Sequence, residues 1–382
     1  MKYRKLGRSN IEVSEVSIGC EGLMEKSDEE VKRFVDEAHQ LGVNFIDFYS
    51  SNPTARSAFG KAIKGQRKDW IIEGHLCSVW KNDQYLRTRK MSEVKAGFED
   101  LLTRLQTDYI DIGMIHYVDG EKDFQEVFQG EVIAYAQELK KQGKIHFIGL
   151  SSHNPVIAMK AIQTGLIDVL LFSINPCYDM QPASENVDDL WADENYEKPL
   201  TNIDPDRQAL YELCEKDNIA ITVMKAFGGG DLLDANLSPF GVAMTPQQCI
   251  HYCLTRPGVV SVMAGAHNIA ELKASVSYCT ASPQERDYAP VLSCIPKHSF
   301  IGNCVYCGHC APCIKGIDVA SVNKFTDLCI AQKSVPETVR EHYEALSHHA
   351  SECIECGMCM RNCPFQVEII SKLKKAVEIF GK

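Results

Sequence analysis

Eight of the seventeen cysteines stand in two tight runs, Cys304-x-x-Cys307-x-x-Cys310-x-x-Cys313 and Cys353-x-x-Cys356-x-x-Cys359-x-x-x-Cys363, the second followed by Pro364. Thiolates three positions apart on a short loop reach successive irons of one cubane, and in chains with two such runs the last cysteine of each crosses to the other cluster. The spacing therefore predicts two 4Fe-4S clusters, one held by Cys304, Cys307, Cys310 and Cys363 and the other by Cys353, Cys356, Cys359 and Cys313. Gly308 and Gly357 suit the tight turns between ligands. The first run is one residue shorter than the second, and Ile314 stands where the second has its proline, so the crossed pairing is less well specified there. Structural zinc is the alternative for CxxC pairs, although four cysteines at such close spacing in each of two runs overfill a zinc site. The remaining nine, Cys20, Cys77, Cys177, Cys214, Cys249, Cys253, Cys279, Cys294 and Cys329, stand singly and read as small buried hydrophobes.

A second set of residues capable of chemistry is spread through the first three-quarters of the chain. Asp47 and Tyr49 are two apart, so on a strand they share a face. His75 and His116 have ordinary pKa values of about 6.5, suited to proton transfer near neutrality. Asp47, Tyr49, His75 and His116 are the catalytic candidates. Ser151, Ser152, Asn175, Lys225, Gly228, Gly229, Gly230 and Gly265 are the candidates for holding a cofactor. The glycine run following a strand lets backbone N–H groups approach an anion, and it is equally a plain turn.

Each of these residues follows an apolar, strand-like run. The runs cover 13–20, 44–50, 70–77, 109–116, 146–152, 169–175, 219–227 and 259–266, with helical patterns such as SDEEVKRFVDEAHQLG between them. Eight βα units in about 280 residues predict a closed (β/α)8 barrel, whose active site lies at the carboxyl ends of the strands. An open doubly wound sheet is the alternative, but its GxGxxG fingerprint is missing from IGCEGL. The segment from Pro176 to Asn202 is long for a barrel loop and is expected to lie over the strand ends or to meet the cysteine-rich tail.

The 382 residues carry a net charge of −11 with no basic stripe, which argues against nucleic acid as a partner. No apolar run approaches the roughly 20 residues of a membrane-spanning helix, and no signal-peptide core follows the basic start. A cytoplasmic protein is expected, with the cysteines as metal ligands rather than disulfides.

Residues 1–285 resemble the aldo-keto reductase family. KYRKLGRSNIEVSEVSIG is similar to its LGxTGxxVSxLGLG opening, GVNFIDFYSSN to GINFFDTAxxY, DYIDIGMIHYVD to DYIDLYLIHWPD, and IHFIGLSSHN to IRxIGVSNF. The tail resembles the subgroup with a ferredoxin-like iron–sulfur domain at its C-terminus. The resemblance implies a TIM barrel over 1–285 and a small ferredoxin-like domain over 286–382. It also implies carbonyl reduction with NADPH through an Asp, Tyr, Lys and His tetrad. The aspartate and histidine fall on Asp47 and His116, but the tyrosine falls on Asn52 and the lysine on His75. The pair that holds the nicotinamide amide falls on Ser151 and Ser152, a strand-six glutamine falls on Leu171, and the ligands of the adenosine phosphate fall on His267, Ala274 and Ser275.

With the hydride machinery altered, the leading expectation is an iron–sulfur oxidoreductase. It would act on a small organic substrate, with electrons passing through the clusters to or from a ferredoxin- or flavodoxin-like partner and with NADP(H) or a flavin in the barrel. The alternatives are an NAD(P)H-dependent carbonyl reductase with a rearranged proton donor and structural clusters, and a non-catalytic electron carrier or partner-binding protein.

Overall fold

Each of the eight strand-like runs contains a strand of one closed barrel. The computed structural model describes residues 1–196, 200–293 and 298–382, so Cys294 lies outside the described residues. A hairpin of β1 (Tyr3–Lys5) and β2 (Glu12–Ser14) precedes the first barrel strand, β3 (Val16–Gly19). Then come β4 (Phe45–Phe48), β5 (Ile71–Leu76), a second hairpin of β6 (Ser78–Lys81) and β7 (Gln84–Arg87), β8 (Ile110–Ile115), β9 (Ile145–Ser152) and β10 (Val169–Ser173). After the two-residue β11 (Leu200–Thr201), β12 (Ala220–Met224) and β13 (Val259–Ala264) complete the barrel, and β14 (His298–Ser299) follows. The closed order is β10-β12-β13-β3-β4-β5-β8-β9, and its neighbours are parallel.

Alternation along the strands sorts the interior into layers. Phe45, Ile112, Met114, Val169, Leu171 and Ala220 pack inside the barrel with Leu6 and Val13 of the first hairpin. Residues two further along the same faces, among them Asp47, His116 and Ser173, form the polar layer at the carboxyl mouth. Helices between the strands bury their apolar faces on the outside. Asp28–Gln40, for example, starts with a capping box between Ser27 and Glu30 and buries Val31, Phe34, Val35 and Ala38.

The second hairpin was not anticipated from the strand pattern. Its signal is the Asn82–Asp83 pair, both at positive φ (53° and 56°), which makes the tight two-residue turn that matches strand twist. Between Pro176 and Asn202, Tyr178, Leu190, Trp191 and Tyr196 line a cleft with Asn175 and Gly228 at the mouth. Residues 197–199 of this segment lie outside the described residues, and β11 pairs in parallel with β14.

The tail is mainly helical, with Val319–Gln332 packing against Ile369–Phe380. Among the described residues no helix is long and apolar enough to cross a membrane. The tail is tied to the barrel at half-buried Glu215, which accepts the Gly258 N–H at 2.6 Å and lies 3.2 Å from His342 Nδ1. Burial alone would raise the Glu215 pKa, but the His342 hydrogen bond, the Lys324 and His342 charges and the Gly258 N–H outweigh it and lower the value to about 2 from 4.5. The stabilisation from this carboxylate is complete above the ordinary carboxylate pKa and is lost as pH falls toward about 2. Glu215→Gln is expected to cost about 1.5–3 kcal/mol near neutral pH. The gap from wild type should narrow at about pH 3, as urea denaturation at the two pH values would show.

Candidate active site at the carboxyl mouth of the barrel

Asp47, His75 and His116 come from three adjacent strands, β4, β5 and β8, and are joined in one hydrogen-bonded chain. His75 Nε2 lies 2.9 Å from Asp47 Oδ1, and His75 Nδ1 lies 2.6 Å from His116 Nδ1. The chain then leaves the barrel, because His116 Nε2 meets the hydroxyl of Tyr85 on β7. With Asp47 ionised, His75 Nε2–H donates to it, His75 Nδ1 accepts from His116 Nδ1–H, and His116 Nε2 accepts from Tyr85. The three barrel residues are buried and Tyr85 is 36% exposed, so the chain runs from the buried polar layer at the mouth to the hairpin on the surface.

Electrostatics disfavour a charge on His116. Burial, followed by the neighbouring charges of His75, Arg89, His153 and Arg87, holds the His116 pKa well below its ordinary value. Arg89 donates to the carbonyls of His116 (2.9 Å) and Tyr117 (2.7 Å), which fixes the turn after β8. One layer below, Glu73 is fully buried with the Thr222 hydroxyl 3.4 Å away, and burial together with Asp47 pushes its pKa well up.

Tyr49, one residue past the end of β4, does line the mouth with Asp47, but its hydroxyl donates to Glu21 Oε1 at 3.0 Å. Burial, then Cys20 and Glu21, pushes its pKa up. Asn52, where the family tyrosine falls, caps the helix Pro53–Ala62 by accepting from the Ala55 N–H.

A cavity of about 280 Å³ opens at the Asp47 end of this chain, lined in part by Glu21, Asp47, Tyr49, Lys225, Gly229, Gly230, Gly265 and His267. The candidate cofactor residues divide here. Lys225 and Gly265 face the cavity, and there is open space beside the Cα of Gly229 and of Gly230. Gly228 N–H donates to the Lys225 carbonyl and Gly230 N–H to that of Phe227, so the glycine run is first a turn. Asn175 is engaged in a turn as well, accepting from the N–H groups of Cys177 and Tyr178 and donating to the Lys225 carbonyl. Ser152 donates to Asp119, while Ser151 is buried at the end of β9. The residues missed from sequence are Tyr85, carried by the unanticipated hairpin, and Ser173, whose buried hydroxyl lacks a partner among the described residues.

The tail brings the two cysteine runs together. Cys307 feels the charges of Cys304 and Cys363, and Cys310 those of Cys304 and Cys307. Cys313, Cys353, Cys356 and Cys359 line one small cleft. Both runs use the same backbone, with positive φ at Tyr306 and Gly308 in the first (57° and 81°) and at Glu355 and Gly357 in the second (55° and 72°). Cys304 accepts from Asn323 Nδ2 and Cys353 from the Glu355 N–H. Among the described residues no three His, Cys, Asp or Glu side chains converge on a single ion. The single cysteines Cys20, Cys77, Cys177, Cys214, Cys249, Cys253 and Cys329 are buried, and Cys279 is half-buried.

The barrel has close counterparts among known proteins. An uncharacterized oxidoreductase of Bacillus subtilis, YqkF, is 25% identical over 293 residues, covering 74% of this chain and 92% of its own length. An NADH-specific methylglyoxal reductase of Escherichia coli is 26% identical over 190 residues, 44% of this chain and 58% of the relative. The solved aldo-keto reductase AKR11C1 of Bacillus halodurans, in its holo form, shares the fold with a TM-score of 0.59 at 24% identity, covering 75% of this chain and 94% of that one. The family model for the aldo/keto reductases matches residues 15–248, which include Asp47, His75, Tyr85 and His116 and exclude both cysteine runs. By that match, which spans seven of the eight barrel strands, the chain belongs to the aldo/keto reductase family and is an oxidoreductase.

Proposed function

We propose that the chain is a nicotinamide-dependent oxidoreductase of small carbonyl compounds and the corresponding alcohols, with its tail clusters in a structural role. The observation that carries this reading is the Asp47–His75–His116 chain, whose Asp47 lines a cavity at the carboxyl mouth. It supplies a proton path where the family's lysine and tyrosine are absent, so it favours hydride chemistry in the barrel over the electron path expected first. Lys225, Gly229, Gly230, Gly265 and His267 line a cleft of a size that suits a nicotinamide ring, with open space at the glycines. When bound, a reduced nicotinamide supplies a hydride. At the end where the resemblance puts the adenosine phosphate, His267 N–H is bonded to Glu271, and a carboxylate there disfavours a further phosphate. NADH is therefore preferred to NADPH, in keeping with the name of the Escherichia coli relative.

The division into a barrel over 1–285 and a cluster domain over 286–382 belongs to the same proposal. Two sets of four thiols, each on a loop with the same pattern of positive φ, fit a cubane better than zinc, because a cubane spreads its ligands wider than one ion does. Anaerobically purified protein is expected to hold about eight irons and as much labile sulfide per chain. Zinc in their place would contradict the assignment. A second reading, in which the clusters exchange electrons with a ferredoxin- or flavodoxin-like partner, is favoured by the exposure of Cys356.

The proposed function is tested by titrating the anaerobic protein with NADH and with NADPH, followed by turnover with small aldehydes and ketones. NADH binding with carbonyl-dependent oxidation is expected. Binding of neither nucleotide would overturn the reading.

A further inference from the structure

We propose that Tyr85, on the hairpin after β5, is the residue that exchanges the proton with the substrate oxygen. This rests on the nicotinamide reading above and names the group that completes it. Three hydroxyl or amide positions compete for the role. Asn52 holds the family position but caps a helix, and an amide is no general acid near neutral pH. Tyr49 donates its hydroxyl hydrogen bond to the Glu21 carboxylate, which opposes phenolate formation. Tyr85 instead ends the Asp47–His75–His116 chain through its hydroxyl.

The surroundings of Tyr85 suit that task. Its ring stands edge-on to His116 at 5.5 Å and, at 6.5 Å, to Tyr49, which lines the cavity. Burial raises its pKa, and the Arg87 and Arg89 charges work against that rise. The hairpin that carries it is held at Arg87, whose guanidinium lies 4.4 Å from the Tyr117 ring centre and pairs with Asp123 at 3.2 Å.

Atoms balance along the chain. In alcohol oxidation the substrate hydroxyl gives its proton to Tyr85 while its carbon gives a hydride to the oxidised nicotinamide, leaving a carbonyl. The Tyr85 proton moves to His116 Nε2, the His116 Nδ1 proton to His75 Nδ1, and the His75 Nε2 proton to Asp47. Carbonyl reduction runs the same transfers backwards, starting from protonated Asp47 and a reduced nicotinamide.

The test uses the full anaerobic chain with NADH and an aldehyde, and with NAD and the corresponding alcohol. Tyr85→Phe should lower kcat about 10²- to 10⁴-fold in both directions, with NADH affinity by fluorescence unchanged. Combined with His116→Gln, it should lose no more than the worse single variant, since residues acting as one unit are not additive. Fluorotyrosine at position 85, which lowers the phenol pKa with little change in packing, should move the limb of the pH–rate profile set by Tyr85 to lower pH, and this measurement stands if the phenylalanine variant misfolds. Tyr85→Phe within about threefold of wild type, multiplying effects in the double variant, or an unmoved fluorotyrosine profile would overturn the proposal. A wild type that fails to bind NADH at all would instead overturn the nicotinamide reading beneath it.

Discussion

Asp47→Asn is expected to lower kcat for carbonyl reduction about 10²- to 10⁴-fold, with little change in fold or in NADH affinity. Asp47 accepts from His75 at 2.9 Å and so selects the tautomer that sets every later donor and acceptor in the chain. An asparagine of the same shape turns its amide either way. With its NH₂ toward His75, the imidazole carries its proton on Nδ1, and the 2.6 Å link to His116 Nδ1 then survives only if His116 moves its own proton to Nε2, which reverses every donor and acceptor in the chain. The amide also cannot store the proton that the chain releases. Steady-state rates with NADH and an aldehyde, measured beside a thermal melt, separate this loss from unfolding, and a decrease under tenfold would contradict the relay.

Arg207→Leu is expected to give the largest loss of stability, about 3–5 kcal/mol, because it leaves a buried carboxylate without its cation. Arg207 is fully buried, 3.8 Å from the fully buried Asp179, and donates to the carbonyls of Ser173 (3.0 Å) and Gln181 (3.3 Å). Asp179 also accepts from Tyr211 and Tyr252, so this one group ties the loop after β10 to two helices behind it. Urea denaturation should show the loss, and Asp179→Asn in the same chain should recover part of it by removing the stranded charge. A loss below about 1 kcal/mol would place the pair among those with no net effect.

The barrel was legible because its strands are buried on both faces and read as short apolar runs at regular spacing. The strand VSEVSIGC is the instructive exception. It divides at Glu15, with its first residues in the hairpin before the barrel and the rest in the barrel wall, and a continuous apolar pattern cannot show that division. Asp47, His75 and His116 could be found from their places at strand ends, but their joining could not, since it depends on which strands are neighbours. Asn175 and Ser152 are engaged with nearby backbone and side chains, which a sequence pattern does not show because asparagine and serine bond to these as readily as to ligands. Tyr85 lies outside the eight strand-like runs, although Asn82–Asp83 between alternating residues is a hairpin signal.

The measurement that bears most directly on hydride chemistry in the barrel is the fate of deuterium from NADH labelled at the transferring carbon. The anaerobic protein, with its clusters loaded, is given the labelled NADH and an aldehyde in ordinary water, and the alcohol is analysed. Direct transfer at the Asp47–His75–His116 site puts deuterium on the carbinol carbon. Transfer as single electrons through the clusters takes that hydrogen from water instead, and an unlabelled alcohol would contradict the account.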